Sequence, residues 1–160
     1  GGPTDVPVSS DMPTGIGGGT LYNAAIWWSG ELTRELFDRA LIVSYKANPR
    51  TNKNRLVNFA TGYGSNDGNH STKYNPCYYG DFLGDWREEV LLRTEDNTAL
   101  RLYVSPIVTD YRFHTFLEDP VYRISIATQN VAYNQPTQPG FYFGPDLQGT
   151  LFRGCKIPKK

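Results

Sequence analysis

The chain of 160 residues is poor in the side chains that several common chemistries need, with two cysteines, two histidines, one methionine, and 16 Lys/Arg balanced by 16 Asp/Glu. Cys77 and Cys155 are too few for a disulfide-stapled mini-scaffold and lack the paired spacing of a structural zinc site; they either join once or stay thiols. His70 and His114 do not form a His-x-x-x-His arrangement, so zinc hydrolase chemistry lacks its usual ligands. Zero net charge without a Lys/Arg stripe removes the electrostatic footprint of a nucleic-acid binder. No window approaches the roughly 18 uninterrupted apolar residues of a membrane span. The start, Gly1 to Asp5, has no basic region followed by an apolar core, so no targeting signal is visible and it reads as an arbitrary cut.

Rings are abundant: 11 Tyr, 8 Phe and 3 Trp in a length that suits one domain. Residues 1–19, rich in Gly and Pro, read as a flexible lead segment, residues 20–147 as the folded body and residues 148–160 as a polar tail. The run from Leu21 to Trp28 reads as a strand closed by the Ser29-Gly30 turn. Leu32, Leu36, Phe37, Ala40 and Leu41 fit helical spacing, whereas Ala40 to Tyr45 is β-rich. Polar stretches flank the apolar piece Leu56 to Ala60, and the second of them, ending at Lys73, is a long loop of the kind that usually carries function or disorder. Glu89 to Arg93 and Ala99 to Val104 read as a hairpin, Arg112 to Leu117 as a further strand, and Asp119-Pro120 as the start of a helix running to about Gln129. Short strands broken at even spacing by Gly, Asn and Pro, as around Phe141-Tyr142-Phe143, point to an all-β sandwich or propeller with one short helix near the C-terminus.

The most specific local feature is Gly80-Asp81-Phe82-Leu83-Gly84-Asp85-Trp86-Arg87-Glu88-Glu89-Val90, with Asp81, Asp85 and Glu89 spaced around a loop that enters an apolar strand. Ca²⁺ needs six to eight oxygens, and such a loop can wrap one ion; Leu83 offers no side-chain oxygen and no EF-hand helices flank it. The metal-free alternative is that Asp81 and Asp85 cap a tight turn while Arg87 pairs with a neighbouring acid.

This stretch, with Asp119-Pro120-Val121-Tyr122-Arg123, the run Gln129 to Pro136 and Ala25-Ile26-Trp27-Trp28-Ser29-Gly30-Glu31-Leu32-Thr33-Arg34-Glu35-Leu36, resembles the C-terminal part of the calcium-rich, eight-bladed propeller rhamnogalacturonan lyases. The usual family form has an acid where Ser29 stands, and the likeness runs from about Leu21 to Asp146. It implies blade strands at Glu31 to Asp38, against the helical spacing there, and we follow the blade. Family members are several times longer, so the resemblance implies a piece carrying the last two to three blades of a secreted, periplasmic or cell-surface enzyme.

The reaction this implies is β-elimination at the rhamnose-to-galacturonate bond of pectin, which needs a neutralised carboxylate, a base near the proton and a donor for the leaving oxygen. Lys73 matches an active-site lysine of the family and Tyr133 a tyrosine of its cleft, with Asn130, Asn69 and His70 as sugar-binding residues and Ca²⁺ on Asp81, Asp85 and Glu89. A lysine with an ordinary pKa of about 10.4 serves as a base only where cations or desolvation lower that value. His114 reads as a strand residue, and Trp27, Trp28 and Trp86 as packing rather than sugar platforms. The arginines and histidines of earlier blades have no counterpart here, so the chain alone is expected to be inactive and to need the missing propeller segment or self-association to cover its exposed faces. The reading from a different class is a non-catalytic, calcium-dependent carbohydrate-binding module on the same scaffold.

Overall fold

The computed structural model describes residues 24–44, 55–65, 68–70, 74–131, 135–144, 150–151 and 155–156. The lead segment expected at residues 1–19 lies outside them. The described residues form an all-β body of antiparallel sheets. One is a meander in the order β1 (Ala24–Ile26), β2 (Glu35–Asp38), β3 (Leu41–Val43), β4 (Arg55–Asn58); the next pairs β5 (Tyr78–Gly80), β6 (Glu89–Arg93) and β7 (Leu100–Tyr103). In the expected tail, β8 (Thr150–Leu151) pairs with β9 (Cys155–Lys156). Among the described residues no helix is long and apolar enough to cross a membrane.

Of the stretch Glu31 to Asp38 only Glu35–Asp38 is strand, residues 31–33 being bends, so strand replaces the helical spacing in its second half; Phe37 on one side is buried in the core, as strand alternation requires. The strand expected from Leu21 ends at Ile26 because the next two amides leave the ladder: Trp27 N–H donates to Glu88 Oε2 at 3.1 Å and Trp28 N–H to Glu35 Oε2 at 2.9 Å. The apolar piece Leu56 to Ala60 divides between β4 and the short α1 (Phe59–Tyr63), whose first turn is capped by Asn58 Oδ1 accepting from Thr61 N–H at 2.9 Å. The β6–β7 hairpin matches expectation: Thr94 and Asp96 close its turn, with Thr94 Oγ1 donating to Asp96 Oδ1 at 2.6 Å.

The strand expected at Arg112 to Leu117 is not one. That stretch is irregular and enters a 3-10 turn at Phe116–Glu118, because its polar groups bond side chains instead of a neighbouring strand. Phe116 N–H and Thr115 Oγ1 both donate to Asp81 Oδ2, at 2.9 and 2.8 Å. The helix α2 (Pro120–Thr128) starts as expected, with Asp119 accepting from Val121 N–H at 3.0 Å and proline in its first turn. Its buried Tyr122 and Ile126, four apart, face β5 so closely that a Cβ on Gly80 would stand 2.6 Å from Ile126 Cδ1.

Two aromatic cores result. Trp28, Phe37, Ile42, Phe59, Tyr79, Val90 and Leu92 fill the space between the two larger sheets. Trp27, Leu32, Trp86, Phe116, Tyr122 and Ile126 form the second, against Phe113, Phe141 and Phe143. The adjacent tryptophans serve opposite cores because neighbouring side chains of an extended chain point to opposite sides.

The edge of β5 opposite β6 is closed by side-chain amides rather than by a strand. Gln129, buried, accepts from Tyr79 N–H at 2.9 Å and donates to Tyr79 C=O at 2.8 Å, and Asn130 Nδ2 donates to Cys77 C=O at 2.7 Å. A primary amide offers the same donor–acceptor pair as a peptide, so it satisfies buried backbone groups that a loop would otherwise leave unpaired. Gln129→Ala is therefore expected to lower unfolding free energy by roughly 2–4 kcal/mol in chemical denaturation; an unchanged midpoint would show that the amide is dispensable.

Candidate functional site

Asn69 and Asn75 clasp the loop between them through paired backbone bonds, Asn69 N–H to Asn75 C=O at 2.6 Å and Asn75 N–H to Asn69 C=O at 2.9 Å. Within it Tyr74 N–H donates to His70 C=O at 2.8 Å, and His70 and Tyr74 adopt positive φ, 59° and 52°. Arg93 fixes the base of this loop, donating from Nε to Asn69 Oδ1 at 3.2 Å and from Nη2 to Gly68 C=O at 3.3 Å, while Arg39 lies 3.9 Å over the Tyr74 ring. The His70 side chain is exposed.

On the other side, the loop after α2 is closed by Gln135 N–H donating to Gln129 C=O at 3.2 Å. The two loops meet at Cys77: Asn69 Nδ2 donates to its Sγ at 3.4 Å and Asn130 Nδ2 to its carbonyl at 2.7 Å. The structure thus brings together Asn69 and Asn130, two of the residues singled out for sugar binding, through a residue that sequence reasoning treated only as a thiol. Lys73 and Tyr133, expected as catalytic residues, lie outside the described residues. Cys77 carries no disulfide.

The acidic loop is built differently from a ready ion cradle. Asp81, without solvent exposure, accepts Asp85 N–H on Oδ1 at 2.9 Å and the Thr115 and Phe116 donors on Oδ2. Asp85 accepts Arg87 N–H on Oδ1 at 3.1 Å and pairs through Oδ2 with Arg87 Nη2 at 2.7 Å. Glu89 Oε2 accepts Phe82 N–H and Leu83 N–H at 2.7 and 3.0 Å. Calcium needs several free oxygens converging on one point. Among the described residues no three His, Cys, Asp or Glu side chains do so. As arranged, the oxygens of Asp81 and Asp85 are engaged by N–H and O–H donors, and this donor set does not fit the ion. Trp86 in the middle of the loop is core, as expected, and buried Trp27 and Trp28 are packing too. His114 is exposed, outside any strand, with Nδ1 3.1 Å from Glu118 Oε1.

Sequence reasoning missed Glu88. It is fully buried, accepts Trp27 N–H and the Tyr122 hydroxyl, at 3.1 and 2.7 Å, and takes the Thr137 hydroxyl as well. Strand alternation gives no signal for it, because Glu88 precedes β6 and both it and Glu89 are buried.

Burial raises the Glu89 carboxyl to about 7, with Asp81 and Asp85 adding to the rise, and it also raises Asp81 and Glu88. Glu89 in the folded chain then keeps a proton that the unfolded chain has released, so its contribution to stability is full below about pH 4.5 and is lost as pH climbs through 7. The urea midpoint should be higher at pH 5.5 than at pH 8, and Glu89→Gln should shrink that difference. A midpoint that rises with pH in the unaltered chain would contradict this.

Residues 11–151 match the model of rhamnogalacturonan lyase family 11, C-terminal domain. The chain is 45% identical over 142 residues to rhamnogalacturonan endolyase YesW of Bacillus subtilis (strain 168), covering 89% of this chain and 21% of that protein. It is 43% identical over 134 residues to rhamnogalacturonan exolyase YesX of the same organism, covering 79% and 21%. Among solved structures, rhamnogalacturonan lyase PL11 of Bacillus licheniformis superposes with a TM-score of 0.70 at 42% identity, over 79% of this chain and 21% of that one. The exotype lyase YesX superposes at 0.73 and 36% identity, over 90% and 23%. The chain spans about a fifth of the length of these relatives. By this match it belongs to rhamnogalacturonan lyase family 11, in the C-terminal domain of that family.

Proposed function

We propose that this domain supplies one wall of the substrate cleft of a secreted lyase that cleaves the rhamnogalacturonan backbone of pectin by β-elimination. The observation that carries the reading is the convergence of Asn69 and Asn130 on Cys77, which fixes the bases of the loops that hold Lys73 and Tyr133 in sequence. Amide side chains of that kind hydrogen-bond sugar hydroxyls, with His70 beside them. In this reading Lys73 takes the proton next to the uronate carboxylate, a carbon–carbon double bond forms as the bond to the leaving oxygen breaks, and Tyr133 gives that oxygen its proton. Similarity to both an endolyase and an exolyase supports a role common to the two modes of cleavage.

The meander sheets support a propeller built of blades, of which this chain would supply the last. The outer edge strand β7 supports the need for a covering partner, since Leu100, Leu102 and Val104 expose one apolar face. That face suits the remainder of a longer lyase or a second copy. Calcium would neutralise the substrate carboxylate in such an enzyme. No step is assigned to an ion on Asp81, Asp85 and Glu89, and titrating the melting temperature with Ca²⁺ and chelator decides whether the loop trades its donors for one.

The test follows the ultraviolet absorbance of the new double bond on rhamnogalacturonan. The chain alone should give no product. In a complete lyase carrying this domain, Lys73→Ala should lower turnover by on the order of 10²–10⁴, and Asn130→Ala should chiefly raise KM. Full turnover by a complete Lys73→Ala enzyme would remove Lys73 from the mechanism. Glycan binding without turnover in the complete protein would favour a binding module.

A further inference from the structure

Residues 105–113 form an irregular extended segment that belongs to no sheet, yet it is pinned along its length. Thr109 Oγ1 donates to Gly30 C=O at 2.7 Å, and Gly30 is held at φ 87° with Thr109 Cβ only 2.7 Å from where its own Cβ would stand, so no larger residue fits. Arg87 Nη1 donates to Ile107 C=O at 2.6 Å, and Trp86 Nε1 to Tyr111 C=O at 3.4 Å. A long loop held this firmly, without strand pairing, resembles a binding loop more than a connector.

Between this segment and the Gly84–Arg87 turn runs an open groove of about 540 Å³. Its lining includes Tyr111 and Phe113, whose rings stack in parallel with centroids 6.1 Å apart, along with Ile107 and Val108, the latter 91% exposed. Phe113 is locked edge-on against Trp86 and Phe143, so the ring pair is rigid. At the same rim Arg87 is neutralised by Asp85 at 2.7 Å, whereas Arg112 is exposed and has no hydrogen-bond or ion-pair partner among the described residues.

We propose that this groove is an accessory site for an acidic oligosaccharide, separate from the Asn69–Asn130 site. Flat, preorganised rings accept the C–H faces of pyranose sugars, and an uncommitted guanidinium beside them selects a carboxylate over a neutral sugar. The purely apolar strip on β7 lacks any such cation and is the surface suited to protein. The inference rests on the pectic reading for its choice of probe only.

Titration of the folded chain, checked by circular dichroism, with oligogalacturonates and with neutral galactan oligosaccharides tests it by calorimetry. Saturable binding of the acidic probe alone is expected, weakened roughly tenfold by Arg112→Gln and also weakened by Tyr111→Ala. Asn130→Ala should leave this affinity unchanged. No saturable binding at millimolar probe, equal binding of the neutral sugars, or loss with Asn130→Ala but not with Arg112→Gln would overturn it. Because the readout is affinity at the groove, it stands whether or not the complete lyase performs β-elimination; absence of turnover there would sink the functional reading alone.

Discussion

The buried carboxylate of Glu88 joins parts of the chain that share no strand ladder. Its backbone N–H donates to Trp27 C=O at 2.9 Å while its side chain accepts Trp27 N–H, so it ties the end of β1 to the start of β6. The Tyr122 hydroxyl bonds it from α2, and that hydroxyl in turn accepts Asp81 N–H at 3.0 Å from the acidic loop. Thr137 reaches it from the segment after α2, with Thr137 N–H donating to the Tyr79 hydroxyl at 3.2 Å and Arg34 Nη2 to Thr137 Oγ1 at 3.2 Å. Both aromatic cores are therefore tied to one acid, Trp27 and Tyr122 directly and Tyr79 by way of Thr137.

Such a group is costly to bury and is retained only when its lone pairs are satisfied. Desolvation dominates its titration and pushes its pKa up, opposed first by Arg34 and then by the hydroxyl and amide donors. Arg34 sits 4.4 Å from the Trp27 ring centroid, which shelters its charge without a direct bond to Glu88. Side chains play an analogous part at β5, where Gln129 and Asn130 take the place of a missing strand. The same Asn130 amide that helps close the sheet edge is the one held at Cys77, so the edge and the meeting of the two loops share one contact.

Local patterns revealed the elements whose partners are near in sequence. The β6–β7 hairpin showed in its alternation and polar turn, and α2 in Asp119-Pro120, because in both cases neighbouring residues supply the decisive bonds. Arg112 to Leu117 misled because its aromatic and β-branched residues suit a strand, while its polar partners are distant side chains, above all Asp81. The acidic loop was legible as a tight acid-rich turn, and the resemblance weighted it toward an ion, whereas in the structure Arg87 and backbone amides occupy those oxygens. The meeting of Asn69 and Asn130 at Cys77 was illegible, since it depends on contacts across 8 and 53 positions. Family likeness named these asparagines; only the fold supplies the reason they lie together.

If Glu88 organises the molecule, exchanging its carboxylate for an amide of the same shape must cost more than an ordinary hydrogen bond, because one oxygen becomes an NH2 group that faces either the Trp27 N–H or the Tyr122 and Thr137 hydroxyls. The direct measurement is equilibrium denaturation of Glu88→Gln, followed in parallel by near-ultraviolet circular dichroism of the aromatic cores. The account predicts a loss of about 3 kcal/mol or more with a weakened aromatic signal, and a variant with unchanged midpoint and spectrum would contradict it.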